Sequence, residues 1–427
     1  MIQALAPVAA LLLGAAILLT GQGLQGTLLP VRASLENFPT VSIGIMGAAY
    51  FLGFTLGCLN GGKLVKSVGH VRVFLAMASL ASAAPLLHGL FPSPVLWGIF
   101  RALTGFCFAA LYVVIESWLN ERATNENRGI IFSTYVMITL TVLAAGQMMT
   151  LLYDPTGLEL FIIASVLVSL GAIPVALTTS PTPDIPSSVR LNLPRLFRIS
   201  PAGTIGCLAT GLTNGAFWSL APVFIAGVSG DPTLAAWFMT SAVAGGAAAQ
   251  WPLGALSDRI GRRKVLFGAS VFGVFISASV VFAGPGVSFL TVNILGAIWG
   301  AVGFPLYSIA VAHANDYAEP DEYVMVSSGL LLMYGLGAIA GPFVASMVIS
   351  AFGAVGLYAY IAVIHFGLAV YLVYRMVQRK TEVEEHHMSF SDAMSSAHTA
   401  SCIYEDEMHQ VSDSSERREA TTVLQGE

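Results

Sequence analysis

The stretch LGALSDRIGRRKVLF, residues 253–267, joins two long apolar runs and has a weaker copy earlier in the chain, GGKLVKSVGHVRVF at 61–74. Gly261 matches Gly69, 192 positions earlier (261 minus 69), and neighbouring Gly, Leu and Val residues match at the same offset. Each copy follows the second long apolar run of its half of the chain. A repeat at this spacing predicts two halves of similar construction.

Composition predicts that both halves lie in a membrane. The chain has 427 residues, of which 56% are hydrophobic and 10% charged, and its mean hydropathy is +0.76. Soluble domains carry about 25% charged residues. As helices, the apolar runs are long enough to cross a hydrocarbon core of about 30 Å. We therefore predict an all-α membrane protein with twelve transmembrane helices, at 5–29, 41–60, 73–91, 94–118, 130–152, 158–178, 202–228, 233–253, 265–284, 287–313, 324–350 and 354–376.

The positions of Lys and Arg predict the orientation. With both termini in the cytoplasm, all but two of the 19 basic residues fall in cytoplasmic segments, the exceptions being Arg32 and Arg101. Basic residues collect on the cytoplasmic side of membrane proteins, and an odd number of spans would destroy this separation. We expect a multi-pass protein of the cytoplasmic (inner) membrane.

Domain limits follow from the same pattern. The predicted units are an N-terminal six-helix half at 1–178, a cytoplasmic linker at 179–200 rich in Pro and Ser, and a C-terminal six-helix half at 201–378. The remaining residues, 379–427, are polar and acidic, and we predict a disordered cytoplasmic tail. Two six-helix halves in parallel repeat are a known transporter arrangement.

The loop after the eighth span resembles the signature loop of the major facilitator superfamily, Gly-x-Leu-x-Asp-Arg-x-Gly-Arg-Arg. The resemblance implies a gate loop that latches the cytoplasmic side of the protein and does not touch substrate. Its residues here are Gly254, Asp258, Arg259, Gly261 and Arg262. The first-half copy has Lys66 at the aspartate position and His70 where Arg262 stands, so the latch is predicted to be stronger in the second half.

The fourth span resembles a second motif of the superfamily, Arg-x-x-x-Gly-x-x-x-Ala, through Arg101, Gly105 and Ala109. An arginine within a span is costly and usually faces the interior of the bundle, which favours a role in ion coupling or in binding an anionic substrate. The alternative is that Arg101 lies near the outer end and extends to the interface. Glu116 is the second coupling candidate; its alternative role is to pair with a cytoplasmic arginine at the gate.

In this superfamily the central cavity is lined mainly by spans one, four, seven and ten. The uncharged polar and aromatic residues there are Gln22, Gln25, Tyr112, Asn214, Trp218, Asn293, Trp299 and Tyr307. Spans two, eight and eleven add Tyr50, Gln250 and Tyr334. They predict a neutral, aromatic-rich substrate site; the alternative for each residue is helix packing.

The resemblance implies a secondary active transporter that moves a small organic solute by alternating access. We favour proton-coupled uptake (symport) of a nutrient, such as a planar vitamin resembling riboflavin, because the fifth span lacks the glycine-proline signature of many drug/proton antiporters. Efflux of a drug or metabolite is the alternative, and a non-transporting membrane sensor is an alternative of another class. No enzyme motif, cofactor, metal or nucleic-acid site is predicted, and we expect a functional monomer in the lipid bilayer.

Overall fold

The computed structural model describes residues 8–123, 128–177, 192–283, 288–319 and 322–378. Throughout these ranges every regular element is a helix, which confirms the predicted all-α class. The first-half helices are α1 Ala9–Leu35, α2 Thr40–Val68, α3 His70–Leu90, α4 Pro94–Arg122, α5 Arg128–Met148 and α6 Glu159–Ala176. The second-half helices are α7 Pro201–Ser229, α8 Thr233–Ile260, α9 Arg262–Ala283, α10a Phe289–Gly303, α10b Pro305–Asn315, α11 Tyr323–Phe352 and α12 Gly356–Gln378.

The predicted linker and tail fall largely outside this description. Residues 178–191 of the linker region and the whole tail 379–427 are not among the described residues, so the predicted domain limits stay predictions. The described end of the linker region forms a short helix, Leu193–Ile199, which we call the connecting helix. A single 3-10 turn, Met149–Leu151, extends α5.

Eleven of the helices in the described residues are long and apolar enough to cross a membrane, with α10a and α10b counted as one. The twelfth, α8, has 28 residues, which at 1.5 Å per residue also exceeds about 30 Å. Its hydropathy is lower because it is rich in Ala, Gly, Ser and Thr and ends with Ser257, Asp258 and Arg259. Small residues of this kind let helices approach closely in a bilayer.

The repeated loops end α2 and α8 in the same way. Gly69 and Gly261 have φ values of +89° and +96°, a region that residues with a Cβ rarely adopt. Each glycine terminates its helix, and the next helix begins at the following residue. The end of the bundle that carries Gly69 and Gly261 is called the repeat-loop face below, and the other end the opposite face.

Three clusters of buried apolar side chains hold the bundle together. One contains only first-half residues and includes Val65, Val73 and Trp118 near the repeat-loop face. A second contains residues of the second half and of the connecting helix, among them Val265 and Leu266 near the same face. The third cluster draws on both halves, with members such as Leu29, Ile43, Leu220, Ile225 and Tyr358 towards the opposite face. The halves therefore share an apolar core at the opposite face and have separate cores at the repeat-loop face.

Helix pairs that cross between the halves bring small residues together. α2 packs against α11 and α7, α5 against α8, and α1 against α7. Gly47 of α2 lies so close to Ser219 and Pro342 that a Cβ there would overlap the Ser219 side chain. Across the second pair, the Thr240 hydroxyl donates to the Gln147 side-chain oxygen at 3.4 Å. Both contacts lie in the halves of the helices nearer the opposite face.

Candidate functional site

Polar side chains of α1, α2 and α4 form a hydrogen-bonded group, which we call the first-half wall of the candidate site. The Gln22 amide donates to the Tyr50 hydroxyl at 2.8 Å, and the Tyr112 hydroxyl donates to the Gln22 side-chain oxygen at 3.0 Å. The Arg101 guanidinium carbon lies 4.1 Å from the centroid of the Tyr50 ring. One group therefore joins α1, α2 and α4 near the middle of α1, and all four of its members are partly exposed.

Close helix packing sets the position of Arg101. Gly105, one turn along α4, lies against the Tyr50 backbone, and a Cβ there would overlap the Tyr50 carbonyl oxygen. Ala109 lies against Gly57 one turn further on. The small residues of the Arg-x-x-x-Gly-x-x-x-Ala motif thus let α2 approach α4 and bring the Tyr50 ring to the guanidinium.

Gln25 and Glu116 are more deeply buried than this polar group. Gln25 is 2% exposed; its amide donates to the Gly21 carbonyl at 3.3 Å, and its side-chain oxygen has no partner among the described residues. Glu116 is 1% exposed and lies one helical turn from Tyr112 on the way to the repeat-loop face. A carboxylate as buried as this one is a candidate for proton exchange or for a gate contact.

Stacked aromatic rings of the second half form what we call the second-half wall of the candidate site. The Trp218 ring of α7 stacks on Phe304, with centroids 5.3 Å apart and an interplanar angle of 4°. Phe217 stacks on Trp299 at 3.9 Å and 16°. Trp299 is fully buried, whereas Trp218 and Phe304 are partly exposed, so the Trp218–Phe304 stack is the accessible part of this wall.

The break between α10a and α10b places Phe304 in the wall. Proline lacks the N–H of a continuous helix and disfavours helical backbone in the residue before it, and Pro305 opens α10b. Phe304 fills the step between the two segments and lies against Gly246 of α8. Sequence reasoning missed Phe304; the proline after it was the available signal.

The other predicted cavity residues have different surroundings. Asn214 is 4% exposed, and its side-chain oxygen has no partner in the part of the chain that the structure describes. Tyr307 packs on Tyr334 with ring centroids 4.9 Å apart, and the Gln250 amide donates to the Ser308 hydroxyl at 3.0 Å. The Asn293 amide donates to the Phe289 carbonyl at 2.8 Å, and its oxygen accepts from Ser241 at 3.0 Å, so this residue ties α8 to α10a.

The loop around Gly261 is organised by Arg262. This side chain is 2% exposed and pairs with Asp316 at 2.6 Å and with Asp258 at 2.9 Å, each distance joining a guanidinium nitrogen to a carboxylate oxygen. It also donates to the Ser257 hydroxyl, which in turn donates to the Gly254 carbonyl. Arg262 thus ties the loop to the end of α10b, whereas the adjacent Arg259 side chain is exposed.

The first-half copy of this loop uses a neutral contact. His70, at the position equivalent to Arg262, lies 3.0 Å from the Ser117 hydroxyl through its Nε2 atom, and its ring packs near Trp118. Each loop therefore contacts the second helix that follows it in the sequence, which is α10b in the second half and α4 in the first. The second-half contact is ionic and the first-half contact is a hydrogen bond. Within the described residues no group of three His, Cys, Asp or Glu side chains is placed to hold a metal.

The sequence model of the Major Facilitator Superfamily matches residues 11–230 and 203–397. An uncharacterized MFS-type transporter of Enterobacter sp. (strain 638) is 28% identical over 381 residues, covering 88% of this chain and 98% of that protein. The uncharacterized MFS-type transporter YcaD of Escherichia fergusonii is 28% identical over 368 residues, covering 84% and 93%.

Solved structures share the fold at low sequence identity. The nucleoside transporter NupG has a TM-score of 0.74 at 14% identity, with 88% of this chain and 99% of that chain covered. A bacterial homolog of the human lysosomal transporter Spinster, in an inward-facing and occupied conformation, has a TM-score of 0.71 at 16% identity, with 88% and 97% covered. The chain belongs to the Major Facilitator Superfamily and is an MFS-type transporter with many membrane-spanning helices.

Proposed function

We propose that this protein is a secondary active transporter that takes up a small organic solute through the cytoplasmic membrane by alternating access. The observation that carries the proposal is the pairing of a polar wall from one half with an aromatic wall from the other, between halves that share a core at one face only. In this proposal the repeat-loop face is cytoplasmic, so the conformation described is open towards the cytoplasm.

The two walls suit a solute with a flat ring. The partly exposed Trp218–Phe304 stack offers an aromatic surface, since offset and stacked rings attract one another beyond the gain from burial. The Gln22 amide and the Tyr50 and Tyr112 hydroxyls offer hydrogen bonds at the other side. These features support uptake of a planar nutrient, the vitamin class predicted from sequence.

Rocking of one half against the other requires both faces to open and close in turn. In the proposed cycle, Arg262 with its two carboxylates and His70 with Ser117 stabilise each half internally at the cytoplasmic face. The glycine contacts of α2 with α7 and α11 close the external face. The gate role of Gly254, Asp258, Arg259, Gly261 and Arg262 is part of this proposal.

Uptake into proteoliposomes tests the proposal directly. We expect at least one labelled planar solute from a panel that includes vitamins to accumulate in vesicles with the protein and not in empty vesicles. Absence of uptake together with higher drug resistance in cells expressing the protein would show export instead. A sensor would lose its output when 380–427 is deleted, whereas a transporter should retain most of its flux.

Proton coupling, with Arg101 and Glu116 as the coupling groups, is part of the proposal. We expect a pH gradient, acidic outside, to drive accumulation above the external concentration, and a protonophore to reduce it to simple equilibration. Glu116→Gln should retain exchange of labelled for unlabelled solute and lose gradient-driven accumulation. Accumulation that is insensitive to the protonophore would contradict the coupling.

A further inference from the structure

The first-half wall carries a positive charge, and no carboxylate among the described residues pairs with it. The Arg101 guanidinium forms no ion pair and no hydrogen bond within the residues that the structure describes, and its contact is the face of the Tyr50 ring. A cation–π contact uses the face of the guanidinium and leaves the N–H groups at its edge without acceptors. A charge within a membrane span is costly unless a partner offsets it.

The carboxylate nearest to Arg101 along α4 is too distant to pair with it. Glu116 lies fifteen positions (116 minus 101) beyond Arg101 on α4, about 22 Å at 1.5 Å per residue, and it is 1% exposed. It also has interactions of its own. The guanidinium edge is therefore available to an acceptor that comes from outside the chain.

The aromatic wall lies at the same depth as Arg101. Gly47 contacts Ser219, the residue after Trp218, where the two halves meet. Tyr50 is three residues beyond Gly47 on α2, about 4.5 Å further from the opposite face. The Tyr50–Arg101 pair and the Trp218–Phe304 stack are thus both within about one helical turn of the same contact, one on each half, directly beneath the closed face.

We propose that the solute is a planar organic monoanion, an aromatic carboxylate whose carboxylate pairs with Arg101 and whose ring packs against Trp218 and Phe304. This inference rests on the proposed transport function and specifies its substrate class. A guanidinium edge matches the two oxygens of a carboxylate and forms two parallel hydrogen bonds to it. One unpaired cation in the wall fits one negative charge, and a cationic solute would be repelled.

The test on the unmodified protein compares acid and amide forms of one ring system. Naphthalene-2-carboxylate, naphthalene-2-carboxamide and cyclohexanecarboxylate are titrated into purified protein at pH 7, with ligand-induced thermal stabilisation as the measure. We expect the naphthoate to bind about tenfold more tightly than its amide, the gain of a charge-assisted pair, and more tightly than the non-aromatic acid. Equal affinity for naphthoate and amide, or no binding of the naphthoate, would overturn the proposal.

Variants assign the two recognition elements. In Arg101→Gln the preference for naphthoate over its amide should fall to less than about threefold; Arg101→Lys should retain part of the preference. In Phe304→Leu the preference for naphthoate over cyclohexanecarboxylate should fall, with the acid–amide preference intact. An acid–amide preference that survives Arg101→Gln would refute the role of Arg101. The unmodified protein decides the substrate class even if a variant does not fold.

The failure of this inference differs from the failure of the transport proposal. If the vesicles accumulate a neutral planar solute and the naphthoate shows no advantage over its amide, the substrate class is wrong and the transport function stands. If a covalent bridge between α5 and α8 leaves flux unaltered, alternating access is wrong whichever ligand binds.

Discussion

The position of Gly105 shows how one residue sets the contact between α2 and α4. A Cβ at Gly105 would overlap backbone atoms of Tyr50 and Phe54, which cannot move without separating the helices, whereas one at Gly98 on the same helix meets open space. We expect Gly105→Ala to destabilise the protein by about 1–3 kcal/mol, as over-packing does. The matched control Gly98→Ala should be neutral or gain up to about 1 kcal/mol. Thermal unfolding in detergent measures both, and an equal effect of the two changes would contradict the packing described.

Arg262 is a second residue whose surroundings allow a quantitative prediction. It is almost fully buried, as is Asp316, so removal of the arginine leaves a buried carboxylate without its partner. Breaking a buried pair in this way costs about 3–5 kcal/mol. We expect Arg262→Ala to lower the unfolding temperature strongly and Arg259→Ala, at an exposed neighbour, to have little effect.

A double-mutant cycle separates the ion pair from general packing. If the pair is responsible, Arg262→Ala combined with Asp316→Ala should cost much less than the sum of the two single changes, because neither charge is then left alone. Additive losses would show that Arg262 stabilises the loop in some other way.

Residue types and spacing predicted part of the site and not the rest. Gln22, Tyr112, Trp218 and Arg101 could be selected from sequence because Arg, Gln, Tyr and Trp are uncommon in the apolar runs. The pairing of Tyr50 with Arg101 could not, since it depends on the close approach of two helices. Whether an amide faces a cavity or a neighbouring helix is decided by rotation about the helix axis, as Asn293 shows through its bonds to Ser241 and Phe289.

The connecting helix is attached to the second half by an ion pair and by buried apolar side chains. Arg195 lies 2.8 Å from the Glu322 carboxylate, and the buried Leu196 side chain packs against Gly329 of α11. The hydrogen bond from Arg195 is the main reason that the pKa of Glu322 lies below its ordinary value of 4.5. A lowered carboxyl pKa means that the contact is complete above pH 4.5 and is lost as the pH falls through the lowered pKa.

Hydrogen exchange of the amides in Leu193–Ile199 tests this attachment. We expect Glu322→Gln to lower the protection of these amides at pH 7, taken relative to their intrinsic exchange rates at the same pH, to the level of the unmodified protein at acidic pH. The substitution should also remove most of the pH dependence of that protection. Glu319→Gln is the control, since that exposed carboxylate makes no ion pair within the described ranges. Unchanged protection in Glu322→Gln would show that the buried side chains Leu196 and Ile199 hold the helix without the ion pair.

At the scale of elements, hydropathy predicted the existence of the helices better than their ends. α2 was predicted to end at 60 but continues to Val68, and α8 was predicted to end at 253 but continues to Ile260. The added turns are polar on one side and are stabilised by packing, as with Val65, which is 2% exposed. The tenth span was predicted as one run, and the break before Pro305 was missed because hydropathy does not register it.

At the scale of the whole molecule, the repeat at 192 positions predicted two halves, and their relative arrangement required the structure. Sequence similarity between the halves says which segments are equivalent, such as the loops at Gly69 and Gly261. It carries no information on which face the halves share. That follows from the distribution of buried side chains, with one common cluster and two separate ones.

A covalent bridge between the halves tests alternating access without knowledge of the solute. Thr240 of α8 and Gln147 of α5 are in contact across the halves at the opposite face. Ser67 and Arg259, equivalent positions 192 residues apart (259 minus 67), are exposed at the repeat-loop face, one on each half. In protein without its 4 native cysteines, Gln147 and Thr240 are replaced by cysteines, which are then bridged by oxidation. Spin labels are attached at positions 67 and 259 by a chemistry that does not react with thiols.

The decisive measurement is the distribution of distances between the spin labels at 67 and 259, obtained by double electron–electron resonance spectroscopy. Alternating access predicts two populations in the unbridged protein, a short distance when the repeat-loop face closes and a long one when it opens. Bridging positions 147 and 240 should leave only the long distance, and reduction should restore both. A single distribution that bridging does not alter, between pH 5 and 8 and with or without transported solute, would contradict alternating access.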